Sequence, residues 1–431
     1  MPVARLNLSL IAKALAALIC VACVLAAPWL YFPGDLRDYA MWARATHGLQ
    51  PWNVYSESSS NYPPLLLYLL TAVEALRRLL HAAPLGAISI TLLKLPSLAA
   101  CALGIPLCRY GLTRVFGEPH AKQAAIAGAL CTPLWYNACV WGQSDSLLSL
   151  GLIATVIALL NQRVVWAGVA LGCAIALKLM AVILVPIAAV FLLRRNGVRA
   201  LLIASAACCA AWLVVILPFV IAGQSSHVIG AYHGAVGWLP FRQISALNFW
   251  YVIDWFDVYV RGLPSDWNVR AARLDTRLFL SLTTYRALSL ALFAATTLLL
   301  VIGLWRRASD NDLALASTLI FFAFFMLTTE MHERYLVPAA GLTVLVLECP
   351  KRILYVGISL AALLNQVLRG AFNESSFADC FAKWQTFCNN KLALDLIVSA
   401  ASCALFLFAI VWFWRATFDL ARTPKARAQS G

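Results

Sequence analysis

Several short polar stretches of this sequence carry residue types that enzymes use, and each adjoins a long apolar run. The first contains Asp35 and Asp38, at the start of what reads as a short helix. A carboxylate at the mouth of a cavity can accept a proton from an acceptor hydroxyl. Either aspartate can equally cap the helix or pair with its dipole, so both interpretations stay open. The spacing could also help to bind a divalent ion, but two carboxylates are a weak metal signal.

The second stretch, Trp141-Gly142-Gln143-Ser144-Asp145, ends one apolar run and opens the next. Proteins recognise sugars through amide and carboxylate hydrogen bonds combined with stacking on aromatic rings, and these groups are present here. Asp145 could instead cap the following helix, and Trp141 could belong to an interfacial aromatic belt. We favour contacts with a sugar or an acceptor, and we include Tyr62 of the preceding Tyr-Pro-Pro turn in this set.

Two further stretches supply cations. Lys178 lies at a turn between apolar runs, where an ammonium group either snorkels to the interface or binds an anion such as phosphate. Met331-His332-Glu333-Arg334-Tyr335 places several ionisable groups at a membrane boundary, which is rare without a function. Arg334 suits the bidentate binding of phosphate, His332 can add a donor, and Glu333 can contact a sugar or an acceptor. The competing explanation is an ion pair that anchors the interface. The HExxH pattern of zinc proteases does not occur.

The composition requires a membrane. Of the 431 residues, 62% are hydrophobic and only 12% are charged, which is more apolar surface than a soluble core can hide. The apolar runs are long, so they indicate transmembrane helices rather than the alternating strands of a barrel. The net charge of +14 reflects basic residues in short loops, as the positive-inside rule predicts, and does not indicate a nucleic-acid partner.

The sequence predicts about twelve transmembrane helices with both ends of the chain in the cytoplasm. The first run is long enough for a retained span rather than a cleaved signal peptide. Segment Pro64–Leu80 is short and carries Glu74, Arg77 and Arg78, so we expect an amphipathic helix on the outer surface. If it crossed, the basic loop around Arg194 would face outside. The predicted spans are Leu8–Tyr31, Leu92–Tyr110, Ala124–Val140, Ser146–Leu160, Val164–Leu177, Ala181–Leu193, Ala200–Ala222, Thr283–Trp305, Leu313–Thr329, Leu336–Leu347, Leu354–Leu368 and Leu392–Trp414.

We interpret residues 1–431 as one integral-membrane domain with three outer segments, 31–80, 223–282 and 370–391. The second segment contains Asn248, a candidate for substrate contacts within what reads most simply as an amphipathic surface helix. The third contains Cys380 and Cys388, which could form a disulfide in an oxidising compartment or remain reduced thiols. The topology brings all the polar stretches to one face, and this convergence is the main reason to expect a site there.

In these motifs the chain resembles the GT-C superfamily of integral-membrane glycosyltransferases, closest to bacterial relatives of the GPI-anchor mannosyltransferases. The resemblance covers most of the chain. It rests on the order of Asp35-Leu36-Arg37-Asp38-Tyr39, the Tyr62-Pro63-Pro64-Leu65 turn, Trp141–Asp145 and His332–Tyr335. Lys94-Leu95-Pro96-Ser97 is also similar to the Arg-Leu-Pro-Ser that opens the second span in lipid-A and protein glycosyltransferases of this class, with lysine in place of arginine.

The resemblance implies an inverting transfer of mannose or another hexose from a polyprenyl-phosphate carrier. The acceptor would be a glycan, a lipid or a protein, and the site would lie on the periplasmic face of a bacterial inner membrane. Asp35 would be the general base, with Asp38 as the alternative. Arg334 and His332 would hold the carrier phosphate, and Lys178 is a further candidate for this role from its position in the sequence alone. The competing hypothesis is a transporter or flippase of lipid-linked sugars, but we find no internal repeat of the kind that such proteins show.

Overall fold

The structure is a computed structural model that describes residues 8–58, 60–234, 241–263, 283–346, 352–369 and 392–419. Helices make up nearly all of its regular structure. In chain order they are α1 (Leu8–Ala26), α2 (Pro33–Arg44), α3 (Asn53–Glu57), α4 (Pro64–Leu79), α5 (Ala87–Gly111), α6 (Thr113–Leu130), α7 (Thr132–Trp135), α8 (Asp145–Leu160), α9 (Val164–Leu177), α10 (Val185–Ile221), α11 (Ser225–His233), α12 (Phe249–Tyr259), α13 (Tyr285–Arg307), α14 (Asp310–Leu327), α15 (Val337–Leu342), α16 (Arg352–Arg369) and α17 (Leu392–Asp419). A π-helix, Tyr136–Trp141, precedes α8, and 3-10 turns occupy His47–Leu49, Leu179–Leu184 and Thr343–Leu345. Strands β1 (Gln243–Ile244) and β2 (Met331–His332) pair in parallel.

The long helices run between two ends of a bundle. We call upper the end at which α1 finishes and α5 begins, where Lys94 of α5 donates to the carbonyl of Ala27, 2.6 Å away. The lower end is where α5 finishes, and there Asn161, after α8, donates to the carbonyl of Gly111 at 2.7 Å. Helix α10 turns back at Gly197, whose φ of 80° suits glycine, so its two halves are two passages.

Length and composition agree with a membrane-spanning bundle. Among the described residues, five helical segments are long and apolar enough to cross: Ala87–Gly111, Leu179–Ile221, Tyr285–Arg307, Asp310–Leu327 and Ala393–Thr417. Shorter apolar helices occur at Ala17–Ala26, Asp145–Leu160, Val164–Leu177 and Arg352–Leu368. Many large side chains on these helices face outward, as in a lipid-exposed belt. The predicted α-helical membrane fold is confirmed.

The predicted spans agree with helices of the structure to within a few residues at most positions, and Val164–Leu177 is α9 itself. The main difference is Ala124–Val140, which is divided between α6, α7 and the π-helix. Pro133 explains the interruption, because proline has no N–H and sits here at the start of a new helix. Leu336–Leu347 is also shorter than predicted, since α15 gives way to a 3-10 turn after Leu342.

Helix α4, the segment whose crossing was in question, does not pass from one end to the other. Tyr62, just before α4, donates to Gln143 Oε1 at 3.0 Å, while Ser97 of α5 donates to the carbonyl of Gln143 at 2.7 Å. The approach to α4 and the first turns of α5 therefore share the upper end. The charges within α4 pair with each other, because Arg77 and Arg78 both donate to buried Glu74 at 2.7 Å.

Glycines allow helices α9 and α10 to pack closely. Gly168 and Gly172 lie one turn apart on α9, facing α10. A Cβ at Gly168 would come 2.2 Å from the carbonyl oxygen of Ala204, and one at Gly172 would come 2.3 Å from that of Cys208. Small residues at this spacing let two apolar helices pack backbone to backbone, which favours association in lipid.

Candidate active site

Helix α2 presents Asp35 to the centre of the upper end. Pro33 at the start of the helix has the φ that a first turn requires, and Asp35 in that turn interacts favourably with the helix dipole. Its side chain caps nothing and instead accepts a hydrogen bond from Trp141 Nε1 at 2.7 Å. Phe32 stacks on the same indole with a centroid distance of 4.9 Å. The carboxylate is therefore oriented by tertiary contacts, not by its own helix.

The turn after the π-helix brings α2 and α8 together. Gly142 has φ 86°, which favours glycine, and a Cβ there would also lie only 3.1 Å from the side chain of Leu36. The next residue, Gln143, is buried, and its Oε1 accepts from the hydroxyls of Tyr39 at 2.9 Å and Tyr62 at 3.0 Å. Hydrogen bonds among Tyr39, Tyr62 and Gln143 therefore join three separate parts of the sequence into one surface of the site, which we call the wall.

Asp145 lies beneath this wall and joins two cations. Its side chain is fully buried at the start of α8, and it forms an ion pair with Lys178, which follows α9. Its Oδ2 lies 3.6 Å from Arg334 Nε. Burial opposes the charge on Lys178, but the neighbouring carboxylate of Asp145 raises the pKa of this lysine. The rings of Tyr62 and Tyr335 flank the ammonium group, with centroids 5.9 and 5.2 Å away.

The segment 331–335 is held in place by strand pairing. Met331 pairs with Gln243 and His332 with Ile244, which ties the segment to the strand before α12. Arg334 then reaches the centre, where its NH1 lies 3.2 Å from Glu333 and 3.9 Å from Asp35. Burial disfavours the charged guanidinium, yet the carboxylates of Asp35 and Glu333 raise the pKa of Arg334 well above its usual range.

His332 lies at the edge of this group. Its Nδ1 is 3.9 Å from Glu333, and its ring packs edge-on against Tyr335 at 5.2 Å. Burial lowers the pKa of His332 well below its usual value, and the nearby charges of Arg334 and Lys178 lower it further. The imidazole is therefore neutral near pH 7.

The centre thus holds three carboxylates, Asp35, Asp145 and Glu333, and two permanent cations, Lys178 and Arg334. Arg334 is the shared member, because it approaches all three acids. Its Nε is buried and lies 3.6 Å from Asp145 Oδ2, just beyond hydrogen-bond distance. A carboxylate beside a cation can accept a proton while the cation binds an anion.

Comparison of the sequence with known protein families identifies the family to which this chain belongs. The model of glycosyltransferase family 87 matches residues 61–329, more than half of the chain. The chain belongs to glycosyltransferase family 87. The match begins after the Asp35 segment and ends before Met331, so the placement of those two segments rests on the geometry described above. A search of curated proteins gives no match.

A solved structure confirms the fold expected of this glycosyltransferase. ArnT from Cupriavidus metallidurans in the apo state superposes with a TM-score of 0.52 at 15% identity, covering 95% of this chain and 76% of ArnT. The structure of the same enzyme bound to undecaprenyl phosphate gives a TM-score of 0.48 at 13% identity, covering 96% and 78%. The predicted GT-C fold is confirmed, and membership of a glycosyltransferase family favours an enzyme over the transporter hypothesis.

The glycosyltransferase fold brings most of the predicted site residues together, but not all of them. Asp38, one turn beyond Asp35, is exposed, and partial burial together with the Asp35 charge raises its pKa. Asn248 is placed differently: its side chain caps α12 and donates to the carbonyl of Phe325 at 2.8 Å. Cys380 and Cys388 lie outside the described residues. Among the described residues, no group of three or more His, Cys, Asp or Glu side chains could hold a metal ion.

Other residues of this candidate site were not among the predicted site residues. Tyr39 binds Gln143, and Lys94 lies fully buried beside Gly142. Farther out, buried Arg242 pairs with Asp254 at 2.5 Å and Asp257 at 2.7 Å, which holds the strand before α12 against that helix. An ionisable residue inside an apolar run, as at Lys94, is the signal that could have drawn attention to it.

Proposed function

We propose that this glycosyltransferase transfers a hexose, with mannose as the first candidate, from a polyprenyl-phosphate-sugar to an acceptor hydroxyl with inversion at the anomeric carbon. The observation that carries the proposal is the position of Asp35, whose carboxylate lies 3.9 Å from the guanidinium of Arg334 in a group that also contains the ammonium of Lys178. A base and a phosphate-binding cation are then close enough to act on the same sugar. The acceptor is a glycan, a lipid or a protein.

In this proposal Asp35 accepts the proton of the acceptor hydroxyl as that oxygen attacks the anomeric carbon. Trp141 fixes the carboxylate through the 2.7 Å hydrogen bond from its indole. An oriented base and pre-placed charges supply much of the rate enhancement in such reactions. Asp38 is the alternative base, but its exposed side chain lies outside the central group.

Arg334 and Lys178 bind the phosphate that departs with the polyprenyl carrier, and neutral His332 adds one hydrogen bond. Cations that already face the leaving group stabilise its developing charge without reorganisation. A lipid-linked sugar donor is consistent with a site at one end of a membrane-spanning helix bundle. It also agrees with the undecaprenyl phosphate bound to ArnT, whose apo structure shares this fold.

The sugar and the acceptor contact the partly exposed ring of Tyr62, whereas Trp141 is buried and orients Asp35. Gln143, Asp145 and Glu333 belong to this site as well, but all three are buried. We therefore assign Gln143 to orienting Tyr62, through the 3.0 Å hydrogen bond, and Asp145 and Glu333 to holding the cations. No divalent metal enters this scheme.

The upper end faces the periplasm and the lower end faces the cytoplasm in this proposal. Basic residues crowd the lower ends of the helices, as the positive-inside rule requires of the cytoplasmic side. They are Arg109, Arg114, Lys122, Arg163, Arg194, Arg195, Arg199, Arg306, Arg307 and Arg352. The membrane is then the inner membrane of a bacterium.

The decisive experiment measures transfer from a polyprenyl-phospho-sugar by purified Asp35→Asn protein. We expect loss of transfer with an unchanged melting temperature, because asparagine keeps the indole hydrogen bond but cannot accept the proton. Glu57→Gln, a half-exposed carboxylate in the same upper segment, is the matched control and stays active. Full activity of Asp35→Asn together with loss in Asp38→Asn would transfer the role to Asp38. Full activity of both would refute the mechanism.

Orientation is tested separately in intact cells with an impermeant thiol reagent, measured against the labelling of the unmodified protein. Gln50→Cys, exposed at the upper end, is labelled, whereas Val198→Cys, exposed beside the lower turn of α10, is not. The opposite pattern would place the site in the cytoplasm.

A further inference from the structure

Lys94 is a fully buried charged residue within the bundle that the proposed mechanism leaves unused. It lies two turns into α5. Its Nζ donates to the carbonyls of Ala27 at 2.6 Å and Cys139 at 2.7 Å, and to that of Leu30. An ammonium group has three N–H donors, so these three carbonyls use all of them. A lysine that binds only backbone oxygens holds segments of the chain together.

The three carbonyls belong to two chain segments. Ala27 and Leu30 follow the end of α1, where carbonyls lack partners within the helix, and Cys139 lies in the π-helix. A cation at such positions also interacts favourably with the negative end of the helix dipole. Lys94 therefore caps both segments at once and joins residues 27–30, which follow α1, to the π-helix.

Each of these two segments carries one partner of the Asp35–Trp141 hydrogen bond. The exit of α1 continues directly into α2 and Asp35, and the π-helix ends at Trp141. Between Lys94 and that hydrogen bond the segments meet again, because the amide of Phe32 donates to the carbonyl of Trp141 at 3.2 Å. One turn farther along α5, Ser97 holds the carbonyl of Gln143 at 2.7 Å.

We infer that Lys94 is a positioning residue for the catalytic base: it holds the exit of α1 against the π-helix so that Trp141 orients Asp35. This inference rests on the proposed function, since it takes Asp35 as the base. Lys94 itself touches neither the base nor the central cations in this arrangement. A displacement of a reacting group by about 1 Å can lower the rate about a hundredfold, so we expect the hydrogen bonds of Lys94 to affect the turnover rate strongly.

The kinetic test uses the full-length protein with a polyprenyl-phospho-sugar. Lys94→Met keeps the length of the side chain but removes its donors. We expect kcat to fall about a hundredfold while KM for the donor changes less than about threefold. Lys94→Arg, which retains charge and donors, recovers part of the loss. Leu98→Ala, at a buried apolar position one turn away on α5, is the control for general loss of stability.

A second readout does not depend on the reaction. Hydrogen exchange at the amide of Phe32 reports directly on how the two segments are joined, since this amide donates to Trp141. Exchange there accelerates in Lys94→Met and not in Leu98→Ala. Unchanged exchange, or a loss of kcat that only follows the loss of melting temperature as in Leu98→Ala, overturns the inference while the proposed function stands. If Asp35→Asn remains active, the proposed function fails instead, whatever the exchange result.

Discussion

Asp145→Asn tests the electrostatic organisation of the centre most sharply, because Asp145 is the fully buried carboxylate shared by both central cations. It pairs with Lys178 and lies 3.6 Å from Arg334. Breaking a buried ion pair by removing one partner typically costs about 3–5 kcal/mol, since a charge is left uncompensated. With an unfolding entropy of about 2 cal/mol/K per residue, this lowers the melting temperature by about 3–6 °C.

The same substitution strengthens anion binding. When residue 145 is neutral, its side chain no longer balances the positive charges of Lys178 and Arg334. A unit charge about 4 Å away contributes at most about 4 kcal/mol at an effective dielectric constant of 20. Even a third to a half of that value predicts an affinity for phosphate groups about 10- to 30-fold higher. Added polyprenyl phosphate therefore raises the melting temperature of Asp145→Asn more than that of the parent protein.

The assay is thermal unfolding in detergent, followed by intrinsic fluorescence, over a titration of polyprenyl phosphate. Lys178→Met is the matched control, because it breaks the same ion pair from the other side. It is destabilised to a similar extent but gains no affinity, since it has lost a cation. The reasoning is refuted if Asp145→Asn melts like the parent protein, or if the lipid phosphate stabilises both variants equally.

Two further predictions concern pH and packing. Because the pKa of His332 is depressed in the folded protein, only the unfolded chain takes up a proton there as the pH falls below about 6.5, and the free energy of unfolding decreases by at most about 1.4 kcal/mol per pH unit. Unfolding titrations at about pH 7.5 and 5.5 should show a smaller decrease in the free energy of unfolding for His332→Gln than for the parent protein. An equal decrease in the two proteins would contradict this explanation. Gly168→Ala places a Cβ 2.2 Å from the carbonyl of Ala204 and should destabilise the protein by about 1–3 kcal/mol in thermal unfolding, whereas Gly104→Ala, where the Cβ meets nothing within 4 Å, should not.

The transmembrane helices could be predicted because the length of each apolar run largely determines where a helix crosses the membrane. Val164–Leu177 coincides with α9, and the surface position of α4 follows from the charges that it carries. The interruption at Pro133 was missed, since a proline within an apolar run can either begin a new helix or only kink one. Which of these occurs depends on the neighbouring helices that satisfy the freed backbone groups.

Part of the membership of the candidate site was predictable from the sequence, but its internal arrangement was not. Polar residues beside apolar runs are few, so Asp35, Asp145, Lys178 and Arg334 could be selected by the cost of placing them there. Their partners are separated by long stretches of sequence, and spacing carries no information about such pairs. Asp145 was expected to contact sugar, whereas the structure pairs it with Lys178 and Arg334.

The sequence by itself determined that this is a helical membrane protein with its polar motifs at one end, because hydrophobic length and basic loops constrain the topology of any chain in a bilayer. Only the tertiary structure decided which groups meet. Lys94 shows the difference most clearly: within the sequence it is an isolated charge in an apolar helix, and in the fold it joins the end of α1 to the π-helix. A buried charge must find partners, and the packing of distant helices determines which partners it finds.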